Sequence, residues 1–384
     1  MRETALTAAH AELGASFTDF GGWKMPLKYS SELQEHHAVR TAAGLFDLSH
    51  MGEIRIIGPD AATFLNTALV GDLAAVAIGK AKYSLICRED GGIVDDLIVY
   101  RIDENEYLVV PNAANREVVA AALTQLAENG RAGSSATGYD VEVWDESEAI
   151  SLIAVQGPAA AAIIGSVVRA NETFLVEELR YYAFTTVSIG GDEILLARTG
   201  YTGEDGFELF LPHDKAGALW LALLEAGSDH GLIPCGLACR DSLRLEAGMP
   251  LYGNELTTDR ISFEAGLPVV SFSKKEDFVG RAALEQAKAE GRGKTSGQRL
   301  VGLRGLGKRA GRSGYPVIAT EGEHAGVTIG AVTSGLPSPT LGYPIAMAYV
   351  DLAFIDPRTR VDIDLRGKPQ PFEVVALPFY TRER

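Results

Sequence analysis

Two adjacent aspartates, Asp95 and Asp96, open an apolar, β-branched run that follows a turn at Asp90-Gly91-Gly92. The runs on either side of this turn, from Tyr83 to Tyr100, predict a β-hairpin. Successive side chains of a strand point to opposite faces, so one carboxylate can face water while the other enters a pocket. A carboxylate in a pocket can move a proton. On the aspartates alone, an ordinary strand-edge acid is the preferred interpretation.

A second carboxylate, Glu208, lies on a predicted strand just after the glycine-rich run Gly200-Tyr201-Thr202-Gly203-Glu204-Asp205-Gly206. Burying a carboxylate among apolar neighbours is costly unless it accepts hydrogen bonds. A fused heterocycle with an N–H beside an exocyclic NH2 could donate two such bonds, and pterin has this edge. Arg240 lies on a predicted helix, where a structural ion pair is the alternative interpretation. That alternative is kept for Arg244 and Glu246.

Several other motifs lack the residue types or the spacing that known phosphate, metal and catalytic sites require. Gly302 to Lys308 matches most of a phosphate-binding loop, but Arg309 stands where Ser or Thr would hold magnesium. Glu35-His36-His37 and His50 lack the i, i+4 spacing of a helical zinc site, so no metal site is expected. Neither a G-x-S-x-G elbow nor a G-x-G-x-x-G fingerprint after a strand is present, which disfavours hydrolase and dinucleotide-binding functions.

The composition is that of a folded globular protein, with 46% hydrophobic and 22% charged residues. A net charge of -16 disfavours general nucleic-acid binding, because phosphates would be repelled. No apolar segment reaches the roughly 18 residues that a membrane span needs, and the N-terminus has no apolar signal core. The three cysteines, Cys87, Cys235 and Cys239, predict reduced thiols. These features together predict a cytoplasmic protein.

The organisation predicts an α+β fold with an internal repeat. Gly58-Pro59 and Gly157-Pro158 each open a predicted helix, and each is followed by a strand that ends in proline, at Pro111 and Pro212. The separation of the two prolines is nearly the same in both copies. We therefore expect two related antiparallel-sheet units, at 1–145 and 146–280. Residues 286–298 predict a helix end and a linker. Short β-rich runs after Leu300 predict a C-terminal β-barrel domain at 281–384.

Motifs spread from Phe20 to Tyr380 give the chain a resemblance to a known family. They are Phe20-Gly-Gly-Trp-Lys-Met-Pro-Leu27, Gly44-Leu-Phe-Asp-Leu-Ser-His-Met-Gly52, the Gly91 to Leu97 hairpin, Gly200 to Glu208, Arg240 to Gly248, Phe278-Val-Gly-Arg281, Thr333-Ser-Gly335, Ser338 to Gly342 and Pro378-Phe-Tyr380. Each motif is moderately specific, and all of them in this order are very specific. The chain resembles the aminomethyltransferases, or T-proteins, of the glycine cleavage system.

The resemblance implies a three-domain ring whose central hole holds tetrahydrofolate as co-substrate. It implies that an aminomethyl group on the lipoyl arm of the glycine cleavage H-protein gives ammonia, methylene-tetrahydrofolate and dihydrolipoyl protein, in functional association with P- and L-proteins. By motif position, Asp96 matches the catalytic aspartate. The matched folate-binding residues are Met51 and Asn112, the aromatic contacts Tyr83, Tyr181 and Tyr201, the pterin-end pair Glu208 and Arg240, and Tyr380.

One departure concerns the wall of this site. Pro268 and Val269 stand where many relatives carry a small residue and a tryptophan, so an aromatic wall is expected to be missing. Two alternatives share the fold. One is a folate-dependent demethylase or the folate domain of an amine dehydrogenase, although no flavin domain is present. The other is a folate-binding accessory protein of iron–sulfur assembly, whose Lys-Gly-Cys segment is absent at Phe278-Val-Gly-Arg281.

Overall fold

The computed structural model describes residues 1–130, 138–274 and 276–383. Over these ranges the chain forms two helix-covered β-sheets, a short N-terminal hairpin and a closed six-stranded barrel at the C-terminal end. The α+β fold class, with two sheet units and a C-terminal barrel, is therefore confirmed. No helix within the described ranges is long and apolar enough to cross a membrane.

The elements are numbered in chain order. The strands are β1 (Ser16–Phe20), β2 (Trp23–Lys28), β3 (Ala43–Asp47), β4 (Ile54–Ile57), β5 (Ala81–Cys87), β6 (Ile93–Asp103), β7 (Glu106–Val110), β8 (Glu142–Asp145), β9 (Ile150–Gln156), β10 (Phe184–Ile189), β11 (Asp192–Ala197), β12 (Gly206–Pro212), β13 (Leu232–Pro234), β14 (Gln298–Gly305), β15 (Pro316–Ala319), β16 (Thr328–Pro337), β17 (Pro344–Asp351), β18 (Arg360–Asp364) and β19 (Pro369–Val375). The helices are α1 (Thr7–Glu12), α2 (Glu32–Thr41), α3 (Ala61–Ala68), α4 (Arg116–Asn129), α5 (Ala160–Val167), α6 (Thr173–Glu178), α7 (Ala216–Gly227), α8 (Leu237–Glu246) and α9 (Arg281–Ala289).

The two sheets repeat one strand order. The first runs β5-β6-β7-β4-β8 and the second runs β10-β11-β12-β9-β3-β13. The matching turns at Gly58-Pro59 and Gly157-Pro158 join β4 to α3 and β9 to α5, and the matching prolines Pro111 and Pro212 stand at the ends of β7 and β12. The internal repeat that the spacing predicts is thus confirmed by the order of the strands.

Strand β3 interrupts this symmetry. It lies early in the chain, yet it pairs with β9 in the second sheet, where Gly44 opposes Gln156. On its other side it pairs in parallel with β13, through Ile233 opposite Gly44. The other pairs of both sheets are antiparallel within the described ranges. Strand β3 therefore belongs with the second sheet, although it precedes every strand of the first sheet in the chain.

Each sheet buries one face under helices and the other against its counterpart. Phe64 of α3 and Leu123 of α4 pack with the outer face of the first sheet, and Ile163 of α5 and Trp220 of α7 pack with that of the second. Between the sheets a shared core joins side chains of both, namely Tyr100, Leu108, Val110, Leu152, Ala154 and Phe210. Apolar burial on both faces of each sheet holds the two units in a fixed relation.

The C-terminal barrel closes in the order β14-β17-β16-β15-β18-β19. Its interior contains aliphatic and aromatic side chains from all six strands, including Leu303, Val317, Val332, Ala348, Val361 and Phe372. Five of the strands fall on the β-rich runs seen in the sequence. Strand β15 has only four residues, and its sequence pattern is too short to stand out from the turns around it.

The domain boundaries at 145 and 280 stay a prediction. The first falls between β8 and β9, which lie in different sheets. Near the second, Phe278 and Leu284 pack with Leu85 and Ile93 of the first sheet. Helix α9 therefore lies against the first unit, and the barrel strands begin at Gln298.

Candidate functional site

A cavity of about 310 Å³ opens where the two sheets, helix α8 and the segment after α8 meet. This volume is within the range of small-molecule sites. Its walls are formed by Phe20, Leu48, His50, Met51, Tyr83, Asp96, Leu97, Ile98, Tyr100, Val110, Asn112, Ala113, Ala114, Leu152, Tyr182, Gly200, Tyr201, Glu208, Arg240, Met249, Pro250, Leu251, Tyr252 and Leu267. A second cavity of the same size shares Phe20, Tyr201, Arg240 and Leu251 with it.

Asp96 reaches this cavity because of the register of the predicted hairpin. Strand β6 pairs with β5 so that Asp96 opposes Leu85 and Asp95 opposes Ile86. The Tyr83 hydroxyl donates to Oδ2 of Asp96 at 2.9 Å, and the Asn112 side-chain amide donates to Oδ1 at 2.9 Å. Burial raises the pKa of Asp96 to about 6, while these two hydrogen bonds act in the opposite direction. Such a pKa is close to that of an acid–base group working near neutral pH.

Asp95 points to the opposite face of β6 and is fully buried. It accepts hydrogen bonds from the backbone N–H of Asn112 at 2.8 Å and from the side chain of Asn115 at 2.7 Å. The alternation of the two side chains is confirmed. Of the two positions expected for the aspartate outside the pocket, structural or solvent-facing, the structure shows the structural one, because the loop after β7 covers Asp95.

Glu208 lies on β12 and is only 8% exposed. The Thr199 hydroxyl donates to its Oε2 at 2.5 Å, and the Tyr100 hydroxyl lies 3.5 Å from the same oxygen. Both bonds therefore end on Oε2, and none of the hydrogen bonds among the described residues ends on Oε1. Burial raises the pKa of Glu208, while Thr199, Arg240 and Tyr100 act to lower it.

The loop before Glu208 needs its glycines because it runs against Gln156. A Cβ at Gly200 would lie 2.1 Å from Oε1 of Gln156, and one at Gly206 would lie 2.4 Å from its Cδ. Gln156 in turn holds the loop, donating to the Thr199 carbonyl at 3.1 Å and accepting from the Thr202 hydroxyl at 3.0 Å. The glycine-rich sequence thus brings Thr199 and Glu208 together at the cavity.

Arg240, on α8, places its guanidinium over the ring of Tyr201, with its carbon 4.7 Å from the ring centroid. The Tyr201 hydroxyl is fixed by the Pro250 carbonyl. Burial lowers the pKa of Arg240, and the Tyr201 and Glu208 groups nearby raise it. The structure therefore brings Glu208, Arg240 and Tyr201 together on one cavity.

Of the nine candidate residues, seven line the cavity: Met51, Tyr83, Asp96, Asn112, Tyr201, Glu208 and Arg240. Tyr181 does not, since 54% of it is exposed, and its neighbour Tyr182 lines the cavity instead. The chain turns here, with Tyr182 at φ 58°, and the two rings meet edge to face with their centroids 4.9 Å apart, so Tyr181 contacts the ring that lines the cavity. Tyr380 is the other exception. Its ring lies against Arg40, 4.1 Å from the guanidinium carbon, and its backbone N–H donates to Glu246.

Tyr182 and His50 line the cavity although their types and spacing did not indicate it. His50 is buried, and burial lowers its pKa to about 4, assisted by the charge of Arg240, so it is neutral near pH 7. In the sequence, only its position next to the candidate residue Met51 indicated that His50 could line the cavity. Leu267 and Tyr252 also line the cavity, whereas Pro268 and Val269 are not among its lining residues.

The described residues contain one group of three potential metal ligands, Glu35, Cys235 and Cys239, all buried. Its carboxylate already accepts backbone N–H groups from Tyr29, Ser30 and Gly236. The Gly302 to Lys308 run forms strand β14 and the turn after it, with no helix in the described residues that follow up to β15. A phosphate-binding loop needs such a helix.

Comparison with known proteins identifies the family of this chain. The family model of the GCVT N-terminal domain matches residues 6–275, and that of the glycine cleavage T-protein C-terminal barrel domain matches residues 298–381. The chain belongs to the glycine cleavage T-protein family. An aminomethyltransferase of Streptomyces coelicolor is 56% identical over 100% of this chain and 99% of its own length. One of Bacillus subtilis is 41% identical, with 100% of both chains covered.

A solved T-protein has the same overall structure. The crystal structure of the glycine cleavage system aminomethyltransferase T from Bartonella henselae has a TM-score of 0.86 at 36% identity, covering 99% of this chain and 98% of that one. As a member of the T-protein family, the chain is an enzyme, an aminomethyltransferase of the glycine cleavage system. The family implies folate as its substrate. The demethylase and the iron–sulfur accessory protein are not favoured, because the full-length relatives are aminomethyltransferases.

Proposed function

We propose that the cavity binds tetrahydrofolate with the polar edge of its pterin ring against Glu208 and Arg240. The observation that carries the proposal is that Asp96, Glu208 and Arg240 share one cavity. Glu208 is buried, and its hydrogen bonds end on Oε2, so Oε1 can accept from a ring N–H and NH2. A hydrogen bond from a ligand to a desolvated carboxylate contributes more binding free energy than one to a solvated group.

Asp96 acts in the transfer step of this proposal. Two folate nitrogens each form a bond to the methylene carbon, while the bonds from that carbon to the amine and to the lipoyl sulfur break. The two protons lost by folate leave with ammonia and with the thiol. A carboxylate directed at the reacting nitrogens stabilises the positive charge that builds there and carries a proton. Tyr83 and Asn112 hold both of its oxygens in place.

The donor in this proposal is the aminomethyl group on a lipoylated H-protein, with P- and L-proteins working in the same cycle. Basic residues between Lys288 and Arg312 offer a surface for such a partner on an otherwise acidic chain. Strand β14 divides them into two groups. One includes Lys288 and Lys294, and the other includes Lys308 and Arg309. Arg292 is already paired with Glu264 at 2.7 Å.

The test is a reconstituted reaction containing glycine, tetrahydrofolate, NAD+ and purified P-, H- and L-proteins. Ammonia and methylene-tetrahydrofolate should form when the chain is added and should not form when tetrahydrofolate is omitted. Asp96→Asn is the matched control for contaminating activity. Formation of methylene-tetrahydrofolate from dimethylglycine or sarcosine, but not from the aminomethylated H-protein, would overturn the proposal.

The cytoplasmic location expected from the sequence stays a prediction.

A further inference from the structure

Asp95 is a buried carboxylate outside the cavity, and its contacts lie on one loop. It accepts hydrogen bonds from the backbone N–H of Asn112 at 2.8 Å, the side-chain amide of Asn112 at 2.9 Å and the side-chain amide of Asn115 at 2.7 Å. These residues join β7 to α4, where Asn115 is the residue before the first helical turn. Asp95 therefore fixes this loop against strand β6.

The Asn112 amide connects the two aspartates. Its Nδ2 lies 2.9 Å from Oδ1 of Asp95, 2.8 Å from the backbone oxygen of Asp96 and 2.9 Å from Oδ1 of Asp96. An amide nitrogen carries two hydrogens, so three acceptors share them. Asp95 holds both the backbone N–H and the side chain of Asn112, and it therefore sets the direction from which that amide reaches Asp96.

Asp95 is also costly for the fold. It makes no ion pair within the described ranges, and it is 0% exposed. Burial raises its pKa to about 7, and the neighbouring Asp96 acts in the same direction. A buried carboxylate without a cation destabilises a protein relative to an apolar side chain of similar size. Because the buried carboxylate of Asp95 lowers stability and contacts the segment that holds Asp96, a role in function explains its presence more easily than a role in stability.

We propose that Asp95 is a positioning residue for the transfer reaction, which orients Asn112 and through its amide holds the carboxylate of Asp96 toward the bound substrate. This rests on the role proposed for Asp96. Asp95→Asn places an NH2 group among three hydrogen-bond donors. Asn112 then loses the hydrogen bonds that fix it, while Asp96 keeps its charge. A displacement of about 1 Å in a reacting group can reduce the rate about 100-fold.

The first measurement compares kcat with folate affinity. Asp95→Asn should reduce kcat by about 10- to 100-fold, and this factor should exceed any weakening of tetrahydrofolate binding that follows from the movement of Asn112, as measured by calorimetry. Asp103→Asn, at the exposed end of the same strand, is the matched control and should change neither. Parent kcat in Asp95→Asn overturns the proposal, and so does a loss of folate binding that accounts for the whole effect.

The second measurement is a double-mutant cycle. If Asp95 works through Asp96, adding Asp95→Asn to Asp96→Asn should reduce the remaining rate by less than about threefold. A general structural role would reduce the rate by the same factor in both backgrounds, and this outcome overturns the proposal. Asn115→Ala, which removes one donor to Asp95, should give a smaller fall in kcat. It replaces Asp95→Asn if that variant does not fold, and parent kcat in it is then the contradicting result.

The third measurement separates this proposal from the proposed function. The side-chain amide signal of Asn112 in a 1H–15N spectrum of the ligand-free protein, identified by its loss in Asn112→Asp, should shift in both Asp95→Asn and Asp96→Asn. An unshifted signal in Asp95→Asn shows that Asp95 does not hold Asn112. If the reconstituted reaction fails with the parent protein while the signal shifts, the contact is supported and the proposed function is wrong.

Discussion

Thr199 donates a hydrogen bond to Oε2 of Glu208, so within the part of the chain that the structure describes this bond leaves Oε1 of the same carboxylate to the cavity. Glu208→Gln keeps the shape of the side chain but puts an amide where the ligand would donate. A hydrogen bond to a charged group contributes about 1.5 to 3 kcal/mol, so tetrahydrofolate should bind about 10- to 100-fold more weakly. Calorimetry measures this, with unchanged thermal unfolding as the control. Equal affinity would remove Glu208 from the binding site.

Asp96→Asn should reduce kcat by about 100- to 10,000-fold while tetrahydrofolate still binds, since the substitution removes the charge and the proton carrier but not the shape. In the parent protein, kcat/KM should fall on the acid side with an apparent pKa between about 6 and 7. Burial raises the pKa of Asp96 to about 6 and that of Asp95 to about 7, and the two carboxyl groups titrate as a pair. Near-normal turnover in the variant would contradict the role of Asp96.

The burial of Asp96 leads us to expect a pH dependence of the stability of the protein. Asp96 has a folded-state pKa above its ordinary value of 3.8, so the folded state binds more protons than the unfolded state between about pH 4 and 6. Stability from this group is therefore lost as the pH rises through that window. The difference in melting temperature, Asp96→Asn minus parent, should be more positive at pH 8 than at pH 4.5. Thermal unfolding at the two pH values measures it, and an equal difference at both would contradict the raised pKa.

Two adjacent tyrosines give a matched test of the cavity wall. Tyr182→Ala should weaken tetrahydrofolate binding about 10-fold or more, because its ring lines the cavity. Tyr181→Ala should have little effect, since the Tyr181 side chain is largely exposed. Fluorescence titration of the two variants under the same conditions is sufficient. The opposite order would show that the segment around Arg180 to Ala183 rearranges when folate binds.

Charge reversal tests the surface proposed for the H-protein. Lys288→Glu with Lys294→Glu should raise the KM for H-protein at low salt and weaken its dependence on ionic strength. Lys308→Glu with Arg309→Glu makes the same change of charge at the other end of β14, and comparison of the two pairs shows which of the two basic groups the partner contacts. If the second pair raises the KM and the first does not, the partner docks at the other end of the strand. If neither does, the basic residues are not the docking surface.

Local patterns in the sequence predicted the hairpin, the repeat and the barrel because they depend on nearby residues. The turn at Asp90-Gly91-Gly92 and the alternation after it place Asp95 and Asp96 on opposite faces of β6, as the structure has them. The Tyr181 assignment depended on motif position, whereas the direction of the ring depends on a turn at Tyr182, and the structure places Tyr182 at the cavity instead. A one-residue shift in an irregular segment moves a side chain to another surface.

Contacts between distant segments could not be predicted from such patterns. His50 lines the cavity together with Leu152 of β9 and Arg240 of α8, and no periodicity in the chain encodes the meeting of these distant segments. The sequence left open whether Asp95 is structural or solvent-facing, and its burial follows from Asn112 and Asn115, which lie on a loop after another strand. The pairing of β3 with β9 and β13 has the same origin.

The placement of β3 sets the order in which this protein can be assembled during translation. Strand β3 can pair on one side only after Gln156, the partner of Gly44 in β9, has been synthesised. It can pair on its other side only after Ile233, much further along the chain, has been synthesised. At about 5 to 20 residues per second, the synthesis of the chain from Gly44 to Gln156 alone lasts roughly 6 to 22 s. The first sheet contains only strands that end at or before Asp145, so it can form inside this interval. The segment around β3 therefore leaves the ribosome early and is incorporated late, and during that time its strand has no sheet partner and is open to chaperones and proteases.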